Sequence, residues 1–250
     1  MTSSPGRAAA PSRERPLRAR NDPAQYDDLA DEWWRPRGAF AMLHWLAAAR
    51  AARVPPARRP GALLIDVGCG AGLTAPHLTG RGYHHVGVDI TASAVRLARE
   101  HGVDAVRADA AALPFADGVA DVVLAGEILE HVTDLVAVVG EACRVLAAGG
   151  TLVIDTIAAT RVARLLAVGV AERIPGGAPP RLHDPALFVD RALLLRECAR
   201  RGVPLRLFGL RPAWPALVEW LLHRRDAVPM VPMRATPVLF GGVGVKDGTR

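Results

Sequence analysis

Glu127, Glu130 and His131 lie at i, i+3 and i+4 in the chain. In a helical turn that spacing brings all three side chains toward one point. Two carboxylates and an imidazole suit Mg²⁺, Mn²⁺ or Zn²⁺, and a cation bound there would lower the pKa of a hydroxyl held against it. Asp155 is a candidate fourth ligand. The competing reading has Glu130 and His131 lining a pocket or capping the next helix, with His131 a general base or hydrogen-bond partner.

A second group has the chemistry of nucleoside binding. Asp66-Val67-Gly68-Cys69-Gly70-Ala71-Gly72 sits between an apolar run and a helical one, where glycines let backbone approach a ligand and offer it N–H groups. A nicotinamide-type G-x-G-x-x-G counted from Gly68 needs a glycine where Leu73 stands, so that fingerprint is excluded. Asp89, followed by Ile90, and Asp109, followed by Ala110, close the next two apolar runs. A carboxylate at the first place can accept both ribose hydroxyls of a nucleoside. One at the second can receive an adenine amino group, with Ala110 and Leu113 flanking the ring. Either aspartate alone reads as a helix N-cap; the two in order after the glycine loop point to a bound nucleoside.

The elements that must position these residues alternate. Short apolar stretches over 63–68, 85–90, 105–108, 119–125 and 151–156 are interleaved with helical ones near 73–81, 92–101 and 135–147. Such alternation predicts an α/β fold, a doubly wound, mostly parallel sheet with helices on both faces and its ligand at the carboxyl ends of the strands. Ahead of it, Tyr26, Leu29, Ala30 and Trp33, then Phe40, Leu43 and Leu46, follow helical spacing with a break at Pro36 and Gly38, so two helices joined by a turn are expected. A proline-rich run over 54–61 links them to the sheet. Beyond 156 the rhythm changes to a helical stretch and a Pro/Gly-rich loop, then a helix near 191–201 and two terminal strands near 205–210 and 238–245.

A chain of 250 residues can bury one substantial α/β core. The expected organisation is a tail over 1–21 and a single domain over 22–250 with an insertion at about 158–190. The tail carries Pro5, Pro11 and Pro16 among Ser, Ala and Arg, too few apolar residues to offset its ordering entropy, and its prolines interrupt the amphipathic helix a transit peptide needs. No stretch approaches the roughly 20 apolar residues of a membrane span. The formal charge is +6, yet of 31 basic residues only Lys246 is a lysine, which reads as arginine-rich composition, so no nucleic-acid partner is expected. Cys69, Cys143 and Cys198 form no C-x-x-C pair, and a reducing cytoplasm fits best.

The D-x-G-x-G-x-G spacing resembles motif I of class I S-adenosylmethionine-dependent methyltransferases, whose loop lies against the methionine part of the cofactor. Tyr26-Asp27-Asp28-Leu29-Ala30-Asp31-Glu32-Trp33-Trp34 with Gly38, Phe40, Leu43 and His44, the run Glu127-Ile128-Leu129-Glu130-His131-Val132, and residues 172–188 with His183 together resemble the ubiquinone-biosynthesis O-methyltransferase family. That family methylates catechol-type and polyprenyl-phenol hydroxyls and depends on a divalent metal. The resemblance implies a seven-stranded, Rossmann-like, mostly parallel sheet whose last strand pairs antiparallel. It implies cofactor contacts from Arg50, Asp66, Gly68, Gly70, Gly72, Asp89, Ile90, Asp109, Ala110 and Gly126, with Arg50 on the cofactor's carboxylate and Gly126 beside the sulfonium. It implies a small phenolic or catechol acceptor, and metal or base chemistry through Glu127, Glu130 and His131.

Methyl transfer from a sulfonium is an in-line displacement, so the acceptor must be aligned and its oxygen must lose a proton. His183 would meet that oxygen or begin a surface helix with Asp184. In the family the insertion is associated with membrane contact, peripheral to the inner face. Over 160–174, Val162, Leu165, Leu166 and Val170 share one side, which suits an interfacial helix or a lid packing that side on the domain. Trp45 replaces a polar Arg and Ala47-Ala48 an Asn-Pro usual in the family, Ala158 replaces an asparagine, and Pro179-Pro180-Arg181-Leu182 precedes His183 where Lys-Gly-Thr is usual. A natural-product methyltransferase with a different O or N acceptor is therefore the alternative enzyme, and a non-catalytic cofactor-binding protein the alternative of another kind.

Overall fold

The computed structural model describes residues 17–173 and 178–248. Each apolar run becomes a strand: β1 (Ala62–Val67), β2 (Tyr83–Asp89), β3 (Asp104–Arg107), β4 (Ala120–Gly126) and β5 (Leu146–Ile157), followed by β6 (Leu205–Pro212), β7 (Met230–Met233) and β8 (Leu239–Val245). They form one sheet in the order β3-β2-β1-β4-β5-β8-β6-β7. Strands β1 to β5 pair in parallel, and β8 inserts antiparallel between β5 and β6. The sheet thus has eight strands where seven were expected. The additional strand, β7, pairs with β6 at the outer edge and carries Pro232, which has no amide to donate and is tolerated where no further strand follows.

In β1 every residue but Leu63 is buried, as a strand covered on both faces requires. The covers are α1 (Ala24–Asp28) and α2 (Ala41–Ala51) from the N-terminal segment, and α3 (Ala75–Leu78), α4 (Ala92–Glu100) and α5 (Leu135–Val145) from the crossovers. The insertion opens with α6 (Arg161–Ala163), and α7 (Arg191–Arg200) and α8 (Trp214–Leu221) follow. Ile65, Val123, Leu152 and Ile154 of the sheet pack with Val138 and Ala142 of α5 and Leu194 of α7 in the largest core cluster. Helix α8, like β7, has no counterpart in the sequence reading, and its Trp220 meets Trp45 edge-on at 5.1 Å between ring centroids. The tryptophan that departs from the family pattern therefore fills a contact with this helix.

Residues 17–21, grouped by composition with the tail, are held in place. Arg18 pairs with Asp28 at 2.7 Å and Arg20 with Glu172 at 3.0 Å, and the Asn21 N–H donates to the Arg181 carbonyl. The rest of that tail lies outside the described residues. After α6 the insertion widens into π-type turns over Arg164–Val170 and closes with a tight turn at Ala171–Arg173. Ala163 and Ala167 pack inward with Ile157 and Phe188, while Val162, Leu165, Leu166 and Val170 are 49, 64, 43 and 42% exposed. A lid seating its large apolar side on the domain is thus not what forms: the small side chains face in because they allow close approach.

Candidate active site

A cavity of about 590 Å³ opens at the carboxyl ends of the parallel strands. One wall carries Gly68, Gly70, Asp89, Ile90, Asp109 and Ala110; the opposite one carries Tyr26, His131 and His183 with apolar residues of α2, the insertion and β8. Asp66 and Gly72, expected beside the ligand, lie behind the wall. Asp66 is buried with its carboxylate 3.3 Å from His85 Nε2, and Gly72 packs on Ala98 and Val103.

The glycine loop works by shape. Gly70 has φ +52°, and a Cβ there would fall 2.7 Å from the Trp33 ring, so only glycine fits. The amides of Gly68 and Cys69 donate to the Val88 carbonyl, that of Gly72 to the Cys69 carbonyl, and that of Gly70 to Asp89 Oδ2 at 3.0 Å. These N–H groups are spent inside the protein, contrary to the expectation that the loop offers them to a ligand. Such a loop suits the part of a ligand that carries no phosphate.

Asp89 holds three hydrogen bonds: Oδ2 from Gly70, and Oδ1 from Thr91 N (2.9 Å) and Thr91 Oγ1 (2.7 Å). Of the roughly four acceptor positions of a carboxylate, about one remains for a ribose hydroxyl where two were expected. Burial pushes the Asp89 carboxyl up from its usual pKa, against the bonds that favour its charge. Asp109 is exposed and accepts from the amide of Ala111 at 2.8 Å in a turn; no helix follows it, so the helix-cap reading does not hold, and it stands in the cavity wall.

Gly126 ends β4 beneath Arg50, and a Cβ on it would stand 1.8 Å from Arg50 Cζ. From the last turn of α2, Arg50 reaches Asp155 with Nε at 2.6 Å and Nη2 at 2.8 Å, and Thr74 Oγ1 with Nη1 at 3.2 Å. Burial opposes the guanidinium's charge, but the two-pronged pairing with Asp155 outweighs it and holds the group protonated.

Past Gly126 the expected helical turn does not include Glu127. Glu127 adopts φ +52°, a left-handed conformation costly for a side-chain-bearing residue, with its amide on the Asp155 carbonyl. A single tight turn, Leu129–His131, follows. Glu130 is fully buried and its Oε2 accepts from Thr156 Oγ1 at 2.7 Å. Oε1 of Glu127 and Oε1 of Glu130 are buried without a partner, and the charge of Glu130 adds to the burial that opposes ionisation of Glu127. Burial raises Glu130 to about 7 and Glu127 well above the carboxylate range.

His131 turns away from both glutamates. Its Nδ1 lies 2.5 Å from Asn21 Oδ1 and its Nε2 3.2 Å from Tyr26 Oη. With both ring nitrogens committed, Glu127, Glu130 and His131 do not fit a three-ligand metal centre, and no cluster of three metal-ligating side chains occurs among the described residues. The left-handed turn at Glu127 is the physical reason: it breaks the i, i+3, i+4 register. His183, 6% exposed, stacks on His131 with centroids 5.3 Å apart, and its Nδ1 has no partner. Burial lowers His131 to about 3 and His183 to about 4, so both are neutral at neutral pH. Asn21, Thr74 and Thr156 were not foreseen as site residues, because no local spacing links positions as distant as 21 and 131.

Residues 65–154 match the methyltransferase domain family. The chain is 35% identical over 192 residues to a ubiquinone biosynthesis O-methyltransferase of Thiobacillus denitrificans, covering 72% of this chain and 81% of that one. It is 34% identical over 226 residues to one of Paraburkholderia xenovorans, covering 81% and 96%. A SAM-dependent methyltransferase of Thermotoga maritima shares the fold at TM-score 0.63 and 17% identity, over 89% of this chain and 96% of that one. Sheet, cavity and relatives together define an S-adenosylmethionine-dependent methyltransferase. Within that class the chain belongs to the ubiquinone biosynthesis O-methyltransferase family.

Proposed function

We propose that this enzyme transfers the methyl group of S-adenosylmethionine to a phenolic or catechol hydroxyl of a small acceptor, with a polyprenyl quinone precursor as the acceptor class that the relatives' name implies. The observation that carries the reading is the lining of the cavity, where Tyr26 and His131, 3.2 Å apart, stand with the apolar side chains of Met42, Leu43, Leu166, Val238 and Leu239. An aromatic hydroxyl on an apolar body matches that pattern. S-adenosylmethionine supplies an electrophilic methyl carbon on sulfur. The cavity's carboxylates and glycines fit it: Asp89 receives a ribose hydroxyl on Oδ2, Ile90, Asp109 and Ala110 border the adenine, and Arg50 faces the carboxylate end. Gly68 and Gly70 let the backbone approach, Gly126 leaves the methyl group room, and Asp66 and Gly72 hold the loop from behind. His131 is the residue we assign to the acceptor's proton.

Glu127 and Glu130 we read as a proton-sharing pair beside Arg50. Turnover lost in chelator and restored by Mg²⁺ would return a divalent cation to these carboxylates. The exposed Val162, Leu165, Leu166 and Val170 beside Arg161, Arg164 and Arg173 support contact with the inner face of a membrane. No helix among the described residues is long and apolar enough to cross one. A cytoplasmic setting accords with three free, buried cysteines.

A mass-spectrometric screen of phenols, catechols and amines with S-adenosylmethionine tests the function. The expected product is a phenol or catechol heavier by one CH₂. Product from amines alone would favour the natural-product alternative, and tight cofactor binding with no product from any acceptor would favour the non-catalytic one.

A further inference from the structure

The side-chain amide of Asn21 has only one admissible orientation. One terminal atom lies 2.8 Å from the backbone oxygen of His131, and a carbonyl can only accept, so that atom is the NH₂ nitrogen and Oδ1 points the other way. Oδ1 lies 2.5 Å from Nδ1 of the same histidine. An amide oxygen also only accepts, so Nδ1 carries the ring proton and Nε2 of the neutral imidazole is bare. Nε2 is 3.2 Å from Tyr26 Oη, so Tyr26 donates to it. The lone pairs of the Tyr26 oxygen are then left for a hydroxyl entering the cavity that both side chains line.

The surroundings hold this chain of bonds in place. Asn21 has φ +58°, which asparagine tolerates better than most residues. Its amide is bonded to Arg181, and Arg20 beside it donates to the His183 carbonyl at 2.8 Å. The Tyr26 ring packs on Trp33 and Phe40, with centroids 5.7 and 6.0 Å away, and those two rings stack on each other at 4.3 Å.

We propose that Asn21 is a positioning residue that fixes His131 with its proton on Nδ1, and that Tyr26 is a catalytic residue through which the acceptor's proton reaches His131 Nε2. This rests on the O-methylation reading above. As the acceptor oxygen bonds to the methyl carbon, the carbon–sulfur bond breaks and the sulfur keeps its electron pair. The acceptor's proton passes to Tyr26 Oη while the Tyr26 proton passes to Nε2. The imidazolium, still bonded to Asn21, returns one proton to water as the product leaves.

The test is ¹⁵N NMR of the full chain labelled at histidine, with the His131 ring signals assigned by their loss in His131→Gln, alongside kinetics on a hydroxyl acceptor. Wild type is expected to show a protonated Nδ1 and a bare Nε2. Asn21→Ala should mix the tautomers and lower kcat about 10-fold, with KM and cofactor affinity within about 2-fold, and Asn21→Asp should restore the wild-type tautomer. Tyr26→Phe should lower kcat about 100-fold with the His131 tautomer unchanged. A wild-type proton on Nε2, an unchanged tautomer in Asn21→Ala, or full kcat in Tyr26→Phe would overturn the proposal. If wild type methylates no hydroxyl, the O-methylation reading and the Tyr26 step fall together, while the tautomer result, read without any acceptor, still decides the role of Asn21.

Discussion

The two walls of the cavity are built on different principles. The wall holding Gly68, Gly70, Asp89 and Asp109 comes from successive strand ends of one parallel sheet, each within a few residues of its strand. The opposite wall brings together Asn21 and Tyr26 from before the sheet, His131 from the turn after β4, and His183 from the insertion, in contacts spanning 105, 110 and 52 residues of sequence. On the first wall backbone geometry dictates where side chains go. On the second, a few buried polar bonds do it, and those bonds are where substitution should be felt most.

The largest effect is expected at the buried pair of Arg50 and Asp155, which ties α2 to β5. Asp155→Ala leaves a buried guanidinium without its counter-charge, a loss of about 3–5 kcal/mol for a pair of this kind, to be read as a lower denaturant midpoint. Asp109→Ala, on the exposed rim of the strand-end wall, should stay within about 0.5 kcal/mol of wild type. Equal costs for the two would erase the contrast between buried junction and open rim.

Next in size is Asp89→Ala, which removes the acceptor from the Gly70 amide and from the proposed ribose contact. Cofactor affinity should fall about 10- to 100-fold, the range of one charge-assisted hydrogen bond, measured by calorimetry, with the His131 wall intact. A Kd unchanged from wild type would remove Asp89 from the nucleoside site.

The histidine wall should also respond to acid. His131 and His183 are lowered to about 3 and about 4 by burial, while in the unfolded chain they titrate near about 6.5. Between those values the unfolded chain binds more protons, so these groups cost stability as pH falls through that window. The urea midpoint should therefore drop less between pH 7 and pH 5 in His183→Asn than in wild type. An equal drop in both would show that His183 is not held neutral by burial.

The smallest effect on stability is expected in the insertion. Leu165→Ser should shift it by no more than about 0.5 kcal/mol, as for an exposed position, yet reduce co-sedimentation with anionic vesicles. A marked loss of stability would mean that this side chain packs on the domain.

What could be read in the sequence follows the same division. The order of β1 to β5, the glycine loop and the two strand-end aspartates were legible because they depend on period and on position at strand ends. The spacing of Glu127, Glu130 and His131 misled, because it presumes a helix and the chain instead takes a left-handed turn at Glu127. Asn21 was hidden in a stretch whose composition reads as a tail, and its partner lies 110 residues away. Helix α8 and β7 passed unnoticed, since a short prolyl edge strand carries little periodic signal.

The account turns on which atom receives the methyl group. With ¹³C-methyl-labelled S-adenosylmethionine and the panel of phenols, catechols and amines, NMR of the product should show the label in an aryl methoxy group, formed about 100-fold more slowly when Tyr26 is replaced by phenylalanine. Label found only on nitrogen or carbon across the acceptor panel would contradict it.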